Sequence, residues 1–206
     1  MSRKLSLAMI VALLVAGIGA TTLAQEFVIP ENLPVLTVPV IVTTCGQSPG
    51  ALMVGLLLGE AGIYYEEIDL LTADEFLSEC PIDSINDNAG VLIETTGTSL
   101  KGMGAAGVDV DSEVARCTAL IEAARERGMV IIVGQVEGPG RRVDEYDELT
   151  ITAMSPLADL LITRSDVNED GYFTTLAEEL GIPQIFIDDT LDLAVLFPLI
   201  FVSEEE

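Results

Sequence analysis

The chain contains no histidine and no tryptophan, and only 9 of its 206 residues are basic. The first absence removes the usual general base and the commonest metal ligand, which excludes a Ser-His-Asp triad, a Cys-His pair and a histidine-built zinc site. With 4 tyrosines, 6 phenylalanines and no tryptophan, a stacking platform for carbohydrate or single-stranded nucleic acid is poorly supplied. Against the 9 bases stand 34 acids, for a net charge of −25, so the chain repels nucleic-acid phosphates rather than releasing their counterions. Half of the residues are nevertheless apolar, with a mean hydropathy of +0.49. Disordered chains combine high charge with low hydrophobicity, so this composition describes a folded protein with an acidic, solvated surface.

Arg3 and Lys4 precede an uncharged stretch from Leu5 to Ala20, and Thr22-Leu23-Ala24 then offers small residues at the −3 and −1 positions of a signal-peptidase site. The pattern predicts a signal peptide over residues 1–24, cleaved after Ala24 with Ala20 as the fallback; an uncleaved N-terminal anchor is the alternative. The apolar part is short of the roughly 20 residues that a membrane span needs, and no cysteine sits at the cleavage point to carry a lipid. The expected product is exported to the periplasm or the cell exterior, with no stable membrane insertion after cleavage. Removal of the leader takes two bases and no acid, leaving 34 acids against 7 bases. Salt adaptation, solubility and calcium binding account for such acidity equally well.

Residues 25–36, with Pro30 and Pro34, read as an extended lead-in to a single domain over 37–206. Within it, short β-branched apolar runs alternate with glycine-bearing loops and amphipathic segments, the signature of βα units around a mostly parallel sheet. The predicted strands are Val38–Thr44, Gly90–Thr96, Met129–Val136, Asp159–Arg164 and Pro183–Asp188, with Tyr64–Ile68 as a weaker edge strand. Ser48-Pro49 is expected to cap a buried, nearly all-apolar helix over Ala51–Glu60 that ends at Gly62. Further helices run from Asp111 to Arg127, around Tyr146 to Met154, over Tyr172–Leu180 and over Leu191–Phe201. The expected architecture is a three-layer α/β/α sandwich, flavodoxin-like or Rossmann-like.

The stretches Cys45-Gly46-Gln47-Ser48-Pro49-Gly50-Ala51-Leu52-Met53-Val54 and Gly97-Thr98-Ser99-Leu100-Lys101-Gly102-Met103-Gly104-Ala105-Ala106-Gly107-Val108-Asp109 resemble an uncharacterised bacterial group, the domain-of-unknown-function family 6305. The similarity runs from about Val38 to Phe201. It implies an exported α/β domain and brings no activity with it, so function is read from the residues.

In open α/β sheets ligands bind beyond the carboxyl ends of the strands, where helix starts present free N–H groups. The loops at that edge carry Gly46, Gln47 and Ser48 after the first strand, Thr98, Ser99 and Lys101 after the third, Arg141 and Arg142 after the fourth, and Arg164 at the end of the fifth. Four of the seven bases outside the leader thus fall at one edge of a very acidic chain, as a site for a small anionic ligand requires. The competing explanation pairs these bases with Glu137, Asp144, Glu145 and Asp166 nearby. Loss of Arg142 is expected to abolish ligand binding and leave the fold intact.

Three other patterns carry weaker chemistry. Gly102-x-Gly104-x-x-Gly107 matches a dinucleotide fingerprint, but it stands apart from its strand and lacks an acidic ribose partner, so a flexible glycine-rich loop covering the site edge is the expectation. Asp166, Asn168 and Asp170 with Gly171 open like a calcium loop, yet the twelfth position is Ala177, which favours a capped turn over an ion site. Cys117 reads as a core residue, while Cys45 and Cys80 form a disulfide or remain free thiols. The leading expectation is a non-enzymatic binding domain without a cofactor. The alternatives are a hydrolase or transferase holding a divalent cation on Asp109, Asp111 and Glu137, or a structural envelope component; the oligomeric state is open.

Overall fold

The computed structural model of the chain describes residues 27–78 and 90–202. Strands and helices alternate in the order β1 Val40–Cys45, α1 Gly50–Glu60, β2 Tyr65–Glu67, α2 Ala73–Ser78, β3 Val91–Thr96, α3 Leu100–Ala106, α4 Val110–Glu126, β4 Val130–Gln135, α5 Glu145–Met154, β5 Leu160–Arg164, α6 Tyr172–Leu180, β6 Gln184–Ile187 and α7 Leu193–Ile200. The six strands form one all-parallel sheet in the order β2-β1-β3-β4-β5-β6. That is the flavodoxin-like order extended by one strand, rather than the Rossmann order.

Both faces of the sheet are covered, which explains why the strands read as continuous apolar runs. Side chains alternate between two cores. Ile41, Leu92, Ile131, Val133 and Leu161 pack with Phe76 of α2, Leu120 of α4, Ile151 of α5 and Phe173 of α6. Val40, Val42, Ile93, Ile132, Ile162 and Ile187 pack on the opposite face with Val54 and Leu58 of α1 and with Leu196 and Phe197 of α7. The three-layer sandwich is therefore built from period-two strands with a helix stripe on each side.

Local differences from the sequence expectation have identifiable causes. The cap of α1 falls on Pro49 without a side-chain hydrogen bond, because the buried Ser48 hydroxyl turns to Thr44 Oγ1 at 3.4 Å instead. One flank of α1 exposes Leu52 and Leu56, since the sheet and α7 cover only part of an all-apolar helix. The short α2, absent from the sequence reading, is started by Thr72, whose hydroxyl accepts from the Glu75 amide while Glu75 Oε2 accepts from the Thr72 amide. The segment expected as a flexible glycine-rich loop is α3, capped by Ser99 on the Gly102 amide and closed by Gly107 at φ +75°. Asp109 and Ser112 form a capping box that starts α4. Cys80 lies outside the described residues, as do the leader and the cleavage site. No described helix is long and apolar enough to cross a membrane.

Candidate functional site

The chain leaves β1 towards one face of the sheet, into α1, and leaves β3 towards the other, into α3 and α4. The carboxyl ends of β1 and β3 therefore flank the topological switch point, where this architecture opens a crevice. Two glycines let the flanking loops meet. Gly46 at φ +110° and Gly97 at φ +117° adopt conformations closed to other residues, and a Cβ on Gly46 would lie 2.7 Å from the Gly97 carbonyl oxygen. Gln47 and Thr98 form an antiparallel bridge, and the Ser99 amide donates to the Gly46 carbonyl at 2.8 Å. The predicted residues Gly46, Gln47, Ser48, Thr98 and Ser99 are thus brought together.

What fills the crevice is the protein's own carboxylates. Glu113 of α4, fully buried, accepts from the Gly46 amide at 3.1 Å and from Gln47 Nε2 at 2.8 Å. Asp147 of α5 accepts from both the amide and the hydroxyl of Thr98 at 2.7 Å, and its other oxygen accepts from the Val143 amide. Thr150 Oγ1 accepts from the Gly97 amide. The donors that could have held an external anion between β1 and β3 are occupied from within.

The predicted bases divide into three groups. Arg141 donates through Nη1 to the Thr98 carbonyl at 2.6 Å and through Nε to Glu137 at 3.2 Å, with 32% of its side chain exposed. Lys101 is exposed on α3, and no carboxylate among the described residues pairs with it. Arg142 and Arg164 serve as struts. Arg142, 11% exposed, bonds Glu148, Asp170 and the Val167 carbonyl and lies against the rings of Tyr172 and Phe173. Burial works against its charge, but the two carboxylates raise its pKa above the ordinary guanidinium value. Arg164 chelates Asp166 through Nε and Nη2. Arg142 joins the β4 loop to α5 and α6, so its loss bears on the fold as well as on any ligand.

The same bonds engage the residues of the calcium-like pattern. Asp166 serves Arg164, Asp170 serves Arg142 and the Tyr172 amide, and Asn168 caps α6 by accepting from the Phe173 amide at 2.9 Å. These side chains build a capped turn. Asp109 and Asp111 sit exposed at the start of α4, while Glu137 is buried against Arg141, so the three carboxylates suggested for a divalent enzyme centre do not converge. The glycine fingerprint also resolves structurally: a Cβ on Gly102 would lie 2.3 Å from the Gln47 carbonyl oxygen, which makes that glycine a point of close helix-to-loop approach.

Beneath the crevice lies a second polar feature. Cys45 at the end of β1 and Glu94 in the middle of β3 project to the same face of the sheet, and α4 places Cys117 over them. All three are fully buried, and one ligand atom from each lies within 4.8 Å of the others. Among the described residues neither oxygen of Glu94 has a hydrogen-bond partner of normal geometry, although the Cys117 thiol lies near enough to favour its charged form. Burial pushes its carboxyl up to about 8, with the nearby Arg116 charge offsetting part of the rise. Burial also raises the Cys117 thiol well above its usual value. Arg116 itself donates to Glu113, to the Thr44 carbonyl at 2.6 Å and to the Leu71 carbonyl, linking α4 to the end of β1.

A family match spans residues 37–201, nearly the whole of the domain. The chain belongs to the domain of unknown function family DUF6305. No curated protein matches it in sequence. Among solved structures this DUF6305 domain is similar to a GDSL-like lipase from Bacteroides thetaiotaomicron VPI-5482, with 18% identity, a TM-score of 0.34, and coverage of 71% of this chain and 66% of the lipase. It therefore spans just under two thirds of that protein's length. It is also similar to AlinE4, an SGNH-hydrolase family esterase, with 13% identity, a TM-score of 0.33, and coverage of 84% of this chain and 85% of the esterase.

Sequence reasoning found the edge but missed Glu94, Glu113, Arg116 and Asp147. A signal existed for the first. Glu94 interrupts the apolar run Val91-Leu92-Ile93 in a strand whose neighbours on both sides are buried, where a charged residue is rare unless it has a task. Glu113 and Cys117 share the buried face of α4 at a spacing of four residues.

Proposed function

We propose that the DUF6305 domain is exported and, without acting as an enzyme, binds a small anionic molecule at the carboxyl edge of its sheet through Arg141 and Lys101. The leader pattern of residues 1–24 supports export. The observation that carries the binding reading is the state of Arg141. Two of its nitrogens are anchored, to Thr98 and Glu137, while Nη2 donates to nothing among the described residues and a third of the side chain faces solvent. A guanidinium held by its near side and open on its far side is preorganised for an anion. Lys101 follows Thr98 by three residues and supplies a second, unpaired charge.

A non-enzymatic role fits the neighbouring nucleophiles. Among the described residues the Ser48 hydroxyl bonds only Thr44 Oγ1, and Cys45 sits buried beside Cys117 and Glu94 away from solvent, so neither has an accessible activating base there. The test is calorimetric titration of the purified domain with phosphate, sulfate, and di- and tricarboxylates at fixed ionic strength. One class is expected to bind, and Lys101→Ala and Arg141→Lys are each expected to weaken it at least fivefold while keeping the native circular dichroism spectrum. A flat panel, or affinity unchanged in both variants, refutes the reading.

A further inference from the structure

We propose that Cys45, Glu94 and Cys117 form a buried site for one thiophilic divalent cation, with zinc as the fitting ion. The argument begins with register. Cys45 pairs with Thr96 and Thr43 with Glu94 in the parallel β1–β3 ladder, so Cys45 and Glu94 lie diagonally on one face of the sheet. Helix α4 crosses that face with Glu113 and Arg116 above and Cys117 directly over the two strands. Three ligand atoms, two sulfurs and a carboxylate oxygen, are thereby gathered within 4.8 Å of one another with no exposure to solvent.

In a tetrahedral zinc centre, bonds of about 2.3 Å to sulfur and 2.0 Å to oxygen place neighbouring donor atoms about 3.5–3.8 Å apart. Closing the observed triangle to that size takes side-chain adjustments of about 1 Å or less. The Thr44 carbonyl oxygen, 3.7 Å from Cys117 Sγ, offers a fourth ligand, and a carbonyl has a second lone pair beyond the one engaged by Arg116. Two thiolates with one carboxylate select a borderline-soft cation such as zinc over calcium or magnesium, which prefer all-oxygen shells.

The independent pointer is Glu94. Among the described residues no donor of normal geometry reaches either oxygen of this fully buried carboxyl, an anomaly that native cores avoid and that needs an explanation. Neither Arg116 nor any backbone amide reaches those oxygens, although both are used freely a turn away on Glu113. A cation between Glu94 and the two sulfurs would satisfy all three groups at once. With two thiolates, one carboxylate and a divalent ion the centre carries a single negative charge, and the Arg116 guanidinium, 9% exposed, lies close enough to compensate it. Loading exchanges the ion for protons held by the three groups, so proton release accompanies it.

The experiment uses the full chain with Cys80→Ser, which leaves these two thiols alone. The protein is unfolded in reductant and chelator, then refolded with zinc or cobalt and freed of excess ion by gel filtration. One zinc per chain is expected, and the cobalt form is expected to show a thiolate-to-metal charge-transfer band. Cys45→Ser and Cys117→Ser are expected to abolish that band. Glu94→Gln, which keeps both sulfurs and nearly the same shape, is expected to weaken zinc at least tenfold. Should the serine variants fail to fold, thiol reactivity in the parent protein decides: zinc is expected to slow labelling of both cysteines at least tenfold. Less than a tenth of an equivalent of zinc, a band that survives loss of both cysteines, unchanged labelling, or a Cys45–Cys117 disulfide that forms in preference to metal loading would overturn the site.

Discussion

Removal of the Arg142 side chain by Arg142→Ala tests whether this largely buried base at the carboxyl edge of the sheet holds the fold. In the folded protein its Nη1 donates to the Val167 carbonyl at 2.6 Å, and a charge-assisted bond of this kind contributes about 1.5–3 kcal/mol. The pairs with Glu148 and Asp170 count for less, because those carboxylates are 45% and 57% exposed; each contributes about 0.2–1 kcal/mol after solvent screening. Contact with the rings of Tyr172 and Phe173 adds about 0.5–1 kcal/mol. Contributions that share one side chain do not add fully, so the expected loss is about 2–4 kcal/mol. For a domain of this size that lowers Tm by roughly 5–15 °C. Differential scanning calorimetry at neutral pH measures it, with Arg142→Lys expected to fall between because an ammonium cannot serve Val167, Glu148 and Asp170 together. Acid titration supplies a second reading. The Arg142 hydrogen bond lowers the Asp170 pKa below its ordinary 3.8. The stabilisation linked to that shift is present above pH 3.8 and is lost as pH falls through the lower folded value. The deficit of Arg142→Ala should therefore narrow below pH 3.8. A Tm change under about 2 °C would refute the strut assignment.

Further outcomes follow from Glu94 and from the glycines of α3. Glu94, raised from 4.5 to about 8 by burial, is protonated in the metal-free fold at neutral pH. Its raised pKa means that stability is full below pH 4.5 and declines as pH climbs to about 8, by an amount on the order of 5 kcal/mol. In chelator, Glu94→Gln should flatten that decline in urea unfolding curves measured from pH 5 to 9, and parallel profiles for the two proteins would contradict it. Gly102→Ala should destabilise by about 1–3 kcal/mol, because the new methyl meets the Gln47 carbonyl at 2.3 Å. Gly104→Ala, with nothing within 4 Å, should instead stabilise α3 by roughly 0.5–1 kcal/mol; equal shifts in thermal melts would show that α3 does not press on the β1 loop.

Most of the fold was legible because parallel strands buried on both faces announce themselves. The runs at Val91–Thr96, Val130–Gln135 and Leu160–Arg164 stand within a residue of where periodicity put them, and the glycine stops at Gly128 and Gly181 end their helices at positive φ. The misreadings share a cause. Local preference puts Ser48 at the helix start, yet its hydroxyl meets Thr44 Oγ1 from the strand below. The glycines of α3 suggested looseness, while the structure uses Gly102 for contact. In both cases the partner is a group that sequence distance does not reveal.

The site was less legible than the fold for the same reason, and the carboxylates show it most clearly. On a chain with 34 acids and 9 bases, charge arithmetic directs attention to the scarce arginines, yet five of the six described ones pair with an acid, Arg142 and Arg164 among them. The informative acids are the few withdrawn from solvent. Glu113 and Asp147 close the switch point from within by accepting from the loop amides. Glu94, buried to the same degree, accepts from no donor of normal geometry among the described residues. Of three buried carboxylates on one face of one sheet, two are thus satisfied by the loop amides, and the unsatisfied one is the one that stands beside two sulfurs. Neither composition nor periodicity could separate Glu94 from Glu113. The separation comes from register, which sets Glu94 beneath Cys117 and leaves Glu113 one helical turn nearer the amides of the β1 loop.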